Sequence, residues 1–537
     1  MSNKDQISAW GKLYNLLKLE RKDIFQVLYY AIFAGIISLT LPLGIQAIIN
    51  MIQGAQVSSS WILLTFLVTI GVFFVGALQV LQLDIVENIQ EKVFARASFE
   101  FIYRFPKMRV RELEDRYPPE LSNRFFDVLT LQKGLEKLLL DFPTAVIQII
   151  FGLLLLSFYH PFFIALGSFL LILLYIFFKL SLNKALETSI QESKSKYLVA
   201  YWIQQVANNF KTFKISSNEF EQNKNNKLVE KYLKYRQTHF KVVKHQFKQM
   251  VAFKVIVILG LLLIGGLLVL NQQMNIGQFV ASEIIIILII NSVEKIMLSL
   301  ETIYDVATAV EKIDEVTSKK LDRKADANAD ELSIFPLIAE ELTLDNQVVE
   351  TIKIKENSRL NIIASHQKIY DLYHYLTGMK KSKQGKVYLD RKEISTISLD
   401  EYRRRIALVS HTDYFFEGTL WQNLVLNNLT VSENLVYDLL EEFDVLNEIQ
   451  KLPETINTYV FPGSKLISKP VARKICLIRA LLKKPSLLFI EEGFLNTEKE
   501  FEALLSFAEK YKISVLIATT EKINMPIDSI QLNSKKG

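Results

Sequence analysis

The 537-residue chain is half hydrophobic by residue count, has a mean hydropathy of +0.20 and carries a formal net charge of only +6. It is too apolar for an ordinary soluble protein and too long for one domain, so a membrane part and a soluble part are expected. The weak net charge gives no reason to expect a nucleic acid partner, and the single cysteine, Cys476, excludes an intramolecular disulfide and fits a reducing compartment.

Residues 1–23 are polar, and the apolar stretch that follows is much too long for a signal-peptide core, so no cleavable signal is expected. Ile24–Ile52 and Trp61–Leu83 contain no charge, and each can cross a hydrocarbon core that needs about 20 apolar residues. Phe142–Phe178 is longer and is broken only at His160-Pro161, which predicts two spans joined by a tight turn with His160 in the loop. Val255–Leu270 and Gly277–Leu300 complete a set of six. The connections Gln53–Ser60, around His160 and Asn271–Ile276 lack Lys and Arg, whereas Asp84–Asp141 and Lys179–Lys254 are rich in both. The two long connections and both chain ends are therefore expected on the cytoplasmic side. In the last span, Glu294 and Glu301 lie seven residues apart on one helix face, either lining a cavity or joining charges at the cytoplasmic end.

Ser318–Asp330 is polar and free of large apolar residues, and reads as a linker between a membrane domain at 1–317 and a soluble domain at 331–537. In the latter, Arg359–Ala364, Arg405–Val409, Leu487–Ile490 and Ser514–Ala518 are short β-rich runs separated by helical patterns, which argues for a parallel sheet. Leu487–Ile490 is uniformly apolar, as a strand buried on both faces must be, and it ends in Glu491 and Glu492. Ligands bind at such carboxyl ends.

The run ARKICLIRALLKKPSLLFIEE resembles the segment of an ABC-transporter nucleotide-binding domain that joins the signature motif to Walker B. Ser468, Leu477, Arg479, Ala480, Leu481, Leu482, Pro485, Leu487, Leu488 and Glu492 match that pattern in register. Lys469, Pro470 and Val471 stand where the family has Gly-Gly-Gln, and Glu491 stands where it has Asp. The first long connection, with Glu120, Leu121, Arg124, Phe125, Asp127 and Val128, resembles a coupling elbow of ABC exporters. The second, with Trp202, Ile203, Val206 and Phe210, resembles the other elbow. The resemblance implies an all-α six-helix exporter domain followed by an α/β ABC-type domain, nearest to half-transporters of the type I secretion group. It also implies a bacterial inner-membrane location and a homodimer, or a heterodimer with a consensus half-transporter. A periplasmic adaptor is a further implied partner.

The phosphate-binding elements depart from the family. Where GxxxxGK[ST] is needed, so that backbone N–H groups wrap the phosphates, the chain reads NIIASHQKIYDLYHYLTG. Lys368 falls near the P-loop lysine and Asp371 near the magnesium-binding hydroxyl, both out of register, with Ser365 at the turn. His411 replaces the Q-loop glutamine, Thr519 or Thr520 takes the switch-histidine position, and Glu498 takes that of the D-loop aspartate. Only Glu492, the implied general base, is intact. Losing three or four charge-assisted hydrogen bonds to phosphate removes roughly 5 to 10 kcal/mol, enough to turn a micromolar site millimolar or worse. The expectation is a transport subunit with little or no ATPase and no bound cofactor or metal. The rival readings are an exporter using ATP and Mg2+ at a non-consensus site, and a membrane scaffold for a secretion adaptor.

Overall fold

The computed structural model describes residues 9–54, 59–113, 118–216, 219–322, 333–411, 415–522 and 527–532. Most of the expected linker and the residues just after His411 lie outside these. The chain forms two compact units, Met1–Pro106 with Arg116–Lys319, and Lys107–Asp115 with Lys320–Gly537. The soluble unit thus takes in a piece of the first long connection, which the sequence had assigned wholly to the membrane domain.

The membrane unit is helical. Among the described residues five helices are long and apolar enough to cross a membrane: Arg21–Gln53, Ser60–Lys107, Pro118–Ser157, Phe220–Leu270 and Ile276–Thr317. The sixth expected span is the start of helix Pro161–Asn208, whose apolar part, Pro161–Ile176, is shorter. It gives roughly 24 Å of helix against a core of about 30 Å. The break at His160-Pro161 is as expected: helix Phe142–Ser157 ends before it, and His160 caps the next helix, its Nδ1 accepting from the Phe162 N–H at 3.1 Å.

Helix Ile276–Thr317 is the centre of this unit and packs on Phe142–Ser157, Asp127–Glu136 and Thr40–Gln53. The contact with Asp127–Glu136 is close enough to require a glycine, since a Cβ on Gly134 would lie 2.0 Å from Val306 Cγ2. Glu294 is paired with Lys254 at 2.5 Å and Lys295 with Asp141 at 3.8 Å, so Glu294 belongs to a group of neutralised charges. In the first elbow the matched residues form a buried polar knot. Arg124, 5% exposed, holds Glu120 at 2.6 Å and Glu315 at 3.1 Å and lies 3.8 Å from the Tyr197 ring centroid, while the Tyr197 hydroxyl donates to Asp127. In the second elbow Trp202 is buried and donates to the Glu221 carbonyl, but Ile203 and Phe210 are exposed.

The soluble unit is built on a five-stranded parallel sheet in the order Asp528–Gln531, Arg359–Ile363, Ser514–Thr519, Leu487–Glu491, Ile406–Val409. All four predicted strands are in it. Leu488 and Ile490 face the core under helix Lys469–Leu482, and Leu487 and Phe489 face the core under helix His366–Leu376, which is why the first four positions of that strand are all apolar. The unit also contains a four-stranded antiparallel sheet in the order Ile352–Ile354, Leu337–Glu340, Lys386–Leu389, Lys392–Glu393, and two short two-stranded ladders. Met108 bridges Leu321, and the Asp322 N–H donates to the Lys107 carbonyl at 2.8 Å. The Asp322 carboxylate takes the Arg403 guanidinium at 2.5 Å, which also donates to the Thr377 and Gly378 carbonyls at the end of helix His366–Leu376.

Candidate functional site

The carboxyl ends of the parallel strands carry the polar groups. Strand Leu487–Glu491 delivers Glu491 and Glu492 to this edge, and strand Ile406–Val409 delivers His411 beside them. The His411 N–H donates to Glu491 Oε2 at 3.0 Å, and His411 Nε2 pairs with the Glu492 carbonyl at 2.7 Å. The imidazole also packs on the Phe494 ring, 4.8 Å between centroids. Of Thr519 and Thr520, it is Thr520 that faces the strand-end group, its N–H and hydroxyl both donating to Glu492 Oε2 at 2.9 and 2.8 Å. Thr519 is turned into the core and donates to Asn361. Glu492 therefore joins the ends of two neighbouring strands, and its Oε2 is occupied by Thr520.

The other predicted residues are placed differently. Strand Arg359–Ile363 passes into helix His366–Leu376 through Ala364 and Ser365 alone, and the Ala364 N–H is used by the Thr519 carbonyl. Ser365 is the helix cap residue but makes no side-chain cap bond. Lys368 sits half-buried in the first turn, and Asp371, one turn further on, accepts from the Asp345 N–H at 3.0 Å and from Gln367. Ser468 and Lys469 are exposed at the start of helix Lys469–Leu482. Neither they nor Lys368 hydrogen-bond to the strand-end group among the described residues.

Three supporting residues were not singled out from sequence. Tyr373 is fully buried and its hydroxyl donates to the Ile490 carbonyl at 2.6 Å and the Leu516 carbonyl at 3.3 Å, so burial pushes its pKa far up. Arg473 donates to the carbonyl of Gly493, whose φ of +84° follows Glu492 directly. Lys483 donates to the Arg403 and Ile406 carbonyls at 2.6 Å, and burial lowers its pKa. Tyr373 was findable, because it lies with Ile369, Leu372 and Leu376 on the apolar face of an amphipathic helix. A cleft of about 510 Å³ borders this edge, lined by Glu491, Glu492, Asn496, Glu498, Glu521 and Lys522 among others.

The fold is shared with a solved protein described as "Structure of a bacterial Atm1-family ABC exporter with ATP bound", at a TM-score of 0.82 over 96% of this chain and 93% of that one, with 13% identity. The chain is 29% identical over 141 residues to the ABC-type transporter fsqE of Aspergillus fumigatus, and 30% identical over 141 residues to the mitochondrial iron-sulfur clusters transporter ATM1 of Kluyveromyces lactis. Each match covers 25% of this chain, and 11% and 20% respectively of those relatives, so the chain spans a fifth of their length or less in alignment. Residues 24–293, half of the chain, match the family described as the ABC transporter transmembrane region, and the chain belongs to that family.

Proposed function

We propose that this chain is an exporter-type half-transporter of a bacterial inner membrane, working as a dimer with both ends cytoplasmic, whose soluble unit has little or no ATPase of its own. The observation that carries this reading is the connection from Ile363 to His366. A phosphate cradle needs several consecutive backbone N–H groups on a loop that bends round the ligand. Ala364 and Ser365, with no glycine between strand and helix, are too short for such a loop, and one of their two N–H groups is already bonded. ATP with Mg2+ therefore does not fit these residues. The implied general base points the same way, since Glu492 spends its Oε2 on Thr520 and its carbonyl on His411. In this reading Glu492 is a structural tie between strand ends.

The reading extends to a secretion-type cargo with a periplasmic adaptor as partner only through the overall likeness to half-transporters of the type I secretion group; the elbows and the Lys465–Glu492 stretch support the exporter-type half-transporter itself. The test is ATPase activity and nucleotide affinity of the purified full-length protein in nanodiscs, with and without Glu492→Gln. Negligible hydrolysis, unchanged by the substitution, is expected. Hydrolysis at transporter rates that Glu492→Gln stops overturns the reading and makes Lys368, His411 and Lys469 replacement phosphate ligands.

A further inference from the structure

Ile24–Ile52, Trp61–Leu83, Phe142–Phe178 and Val255–Leu270 contain no Asp, Glu, Lys or Arg, so the charged residues within the spans are confined to Gly277–Leu300. They are Glu283, Glu294 and Lys295. The last two are neutralised, Glu294 by Lys254 at 2.5 Å and Lys295 by Asp141 at 3.8 Å. Glu283 is different. It lies about 9 Å along the helix from Gly277, within a hydrocarbon core of about 30 Å, and is half-buried. Among the described residues it has no hydrogen-bond or ion-pair partner.

The segments packed on helix Ile276–Thr317 around this depth, Thr40–Gln53, Phe142–Ser157, Leu261–Gly265 and Gly266–Leu270, offer no charged side chain. The titratable groups flanking them are already engaged: the Tyr159 hydroxyl donates to Gln46 at 2.5 Å, and His160 Nδ1 accepts from the Phe162 N–H. A divalent cation does not fit, because it needs several oxygen ligands and no group of three His, Cys, Asp or Glu could hold one among the described residues.

Two features flank Glu283. A Cβ on Gly265 would lie 2.9 Å from the Phe279 ring, so the Phe279 face of the helix rests against Leu261–Gly265, and Glu283 follows Phe279 by one turn on that face. Leu261–Gly265 is a π turn. Its N–H groups reach five residues back, which leaves one carbonyl of the helix without a donor, and within lipid such a carbonyl needs a partner. A protonated carboxyl supplies a donor, and an ionised one does not. On its other side Glu283 borders an open stripe of Ile287, Asn291, Leu298, Glu301 and Asp305, which recur at three-, four- and seven-residue spacing towards the far end of the span and are all exposed. An ionised carboxylate belongs in such a stripe, where water reaches it, and is costly anywhere else at this depth.

We infer that Glu283 is a proton-carrying carboxyl, loaded where it closes on the π turn and unloaded where it opens to the stripe, and that proton movement through it drives transport. In unloading, the carboxyl O–H bond breaks, its electron pair stays on the carboxylate and the proton passes to water; loading is the reverse. The inference rests on the reading above, in which the soluble unit has little or no ATPase, and names the energy source that replaces ATP.

The first test is infrared difference spectroscopy between acidic and alkaline buffer on the full-length protein in nanodiscs. A C=O band of a protonated carboxyl in an apolar site is expected, which Glu283→Gln removes and Glu356→Gln, exposed in the soluble unit, leaves in place. Glu283→Asp keeps the acid and should move the band without abolishing it, which covers the case in which Glu283→Gln does not fold. In liposomes with a trapped pH dye and an imposed pH gradient, the wild type is expected to dissipate the gradient and Glu283→Gln to lose that flow. Absence of a band that responds to substitution of Glu283 overturns the proposal. A proton flow that Glu283→Gln leaves unchanged overturns it too, as does a Glu283 band without any flow. ATPase activity on the same samples separates the two readings: negligible hydrolysis with no Glu283 band removes only the proton site, whereas hydrolysis at transporter rates removes the reading on which it rests, whatever the spectra show.

Discussion

Two corners of one parallel sheet are built in opposite ways. The end of Leu487–Glu491 carries an apolar strand, two carboxylates and a supporting helix. At the end of Arg359–Ile363 the strand still pairs with Ser514–Thr519, but the chain enters its helix after two residues and without a glycine. The sheet does not depend on either set of strand-end groups, because its stability comes from side chains under the helices, on both faces of the central strands. The groups beyond the strand ends contribute little to that core, so they can change without unfolding it. Packing at one corner and chemistry at the other are separable.

The sharpest way to break this contrast is to remove packing. Phe489 is fully buried, 5.4 Å from the Tyr373 ring, so Phe489→Ala is expected to cost about 3 to 5 kcal/mol. Exposed Gln367, at the altered corner, is expected to tolerate substitution by Ala within about 0.5 kcal/mol. Pulse proteolysis of the full-length protein in urea measures both. Equal losses at the two positions would mean that the altered corner is as integral to the core as the strand.

The difference also explains what could be read from the chain. Leu487, Leu488, Phe489 and Ile490 had to be apolar because both faces of the strand are covered, so strand and sheet class were legible. The spans were legible for a similar reason, since lipid and protein interior both demand apolar side chains. That same equivalence hid the order of the bundle. Ser60–Arg104 and Ile276–Thr317 look alike in sequence, yet 6 of 45 residues are buried in the first and 22 of 42 in the second. Position along the chain set the candidates Glu491, Glu492 and His411 beside one another, but the choice of Thr520 over Thr519 depended on which way each side chain leaves its strand. Arg403 and Asp322 were not legible, because their pairing joins the linker to a helix end that is remote in sequence.

A smaller effect tests the polar layer between strand and helix. Tyr373→Phe keeps the packing but removes the donor to the Ile490 and Leu516 carbonyls, and is expected to cost about 1 to 2 kcal/mol. A loss as large as that of Phe489→Ala would shift the weight of this corner from packing to hydrogen bonding.

Next in size is the tie at the strand ends. Glu492→Ala leaves the Thr520 N–H and hydroxyl without their acceptor and is expected to cost about 1 kcal/mol, while Glu492→Gln, which keeps a carbonyl oxygen, costs less. Thr520→Val is expected to be non-additive with Glu492→Ala, since both remove one interaction. Full additivity in a double-mutant cycle would show that the two residues act separately.

The smallest expected effect is on pH dependence, and it returns to the altered corner. His374 lies on helix His366–Leu376, its Nδ1–H donating to the Tyr370 carbonyl at 2.7 Å. Burial lowers its pKa, with Lys380 adding to this and the bond to the Tyr370 carbonyl, Asp371 and Glu491 opposing it. The fold therefore favours the neutral ring. A group whose folded pKa lies below the unfolded value of about 6.5 contributes stability that is complete above that value and is lost as pH falls through the folded pKa. The wild-type protein should accordingly lose stability on acidification below about pH 6.5 more steeply than His374→Gln, which has no proton to gain. If the two proteins lose stability in parallel, the acid sensitivity of this unit resides in other groups, and the helix at the altered corner carries no titratable contribution of its own.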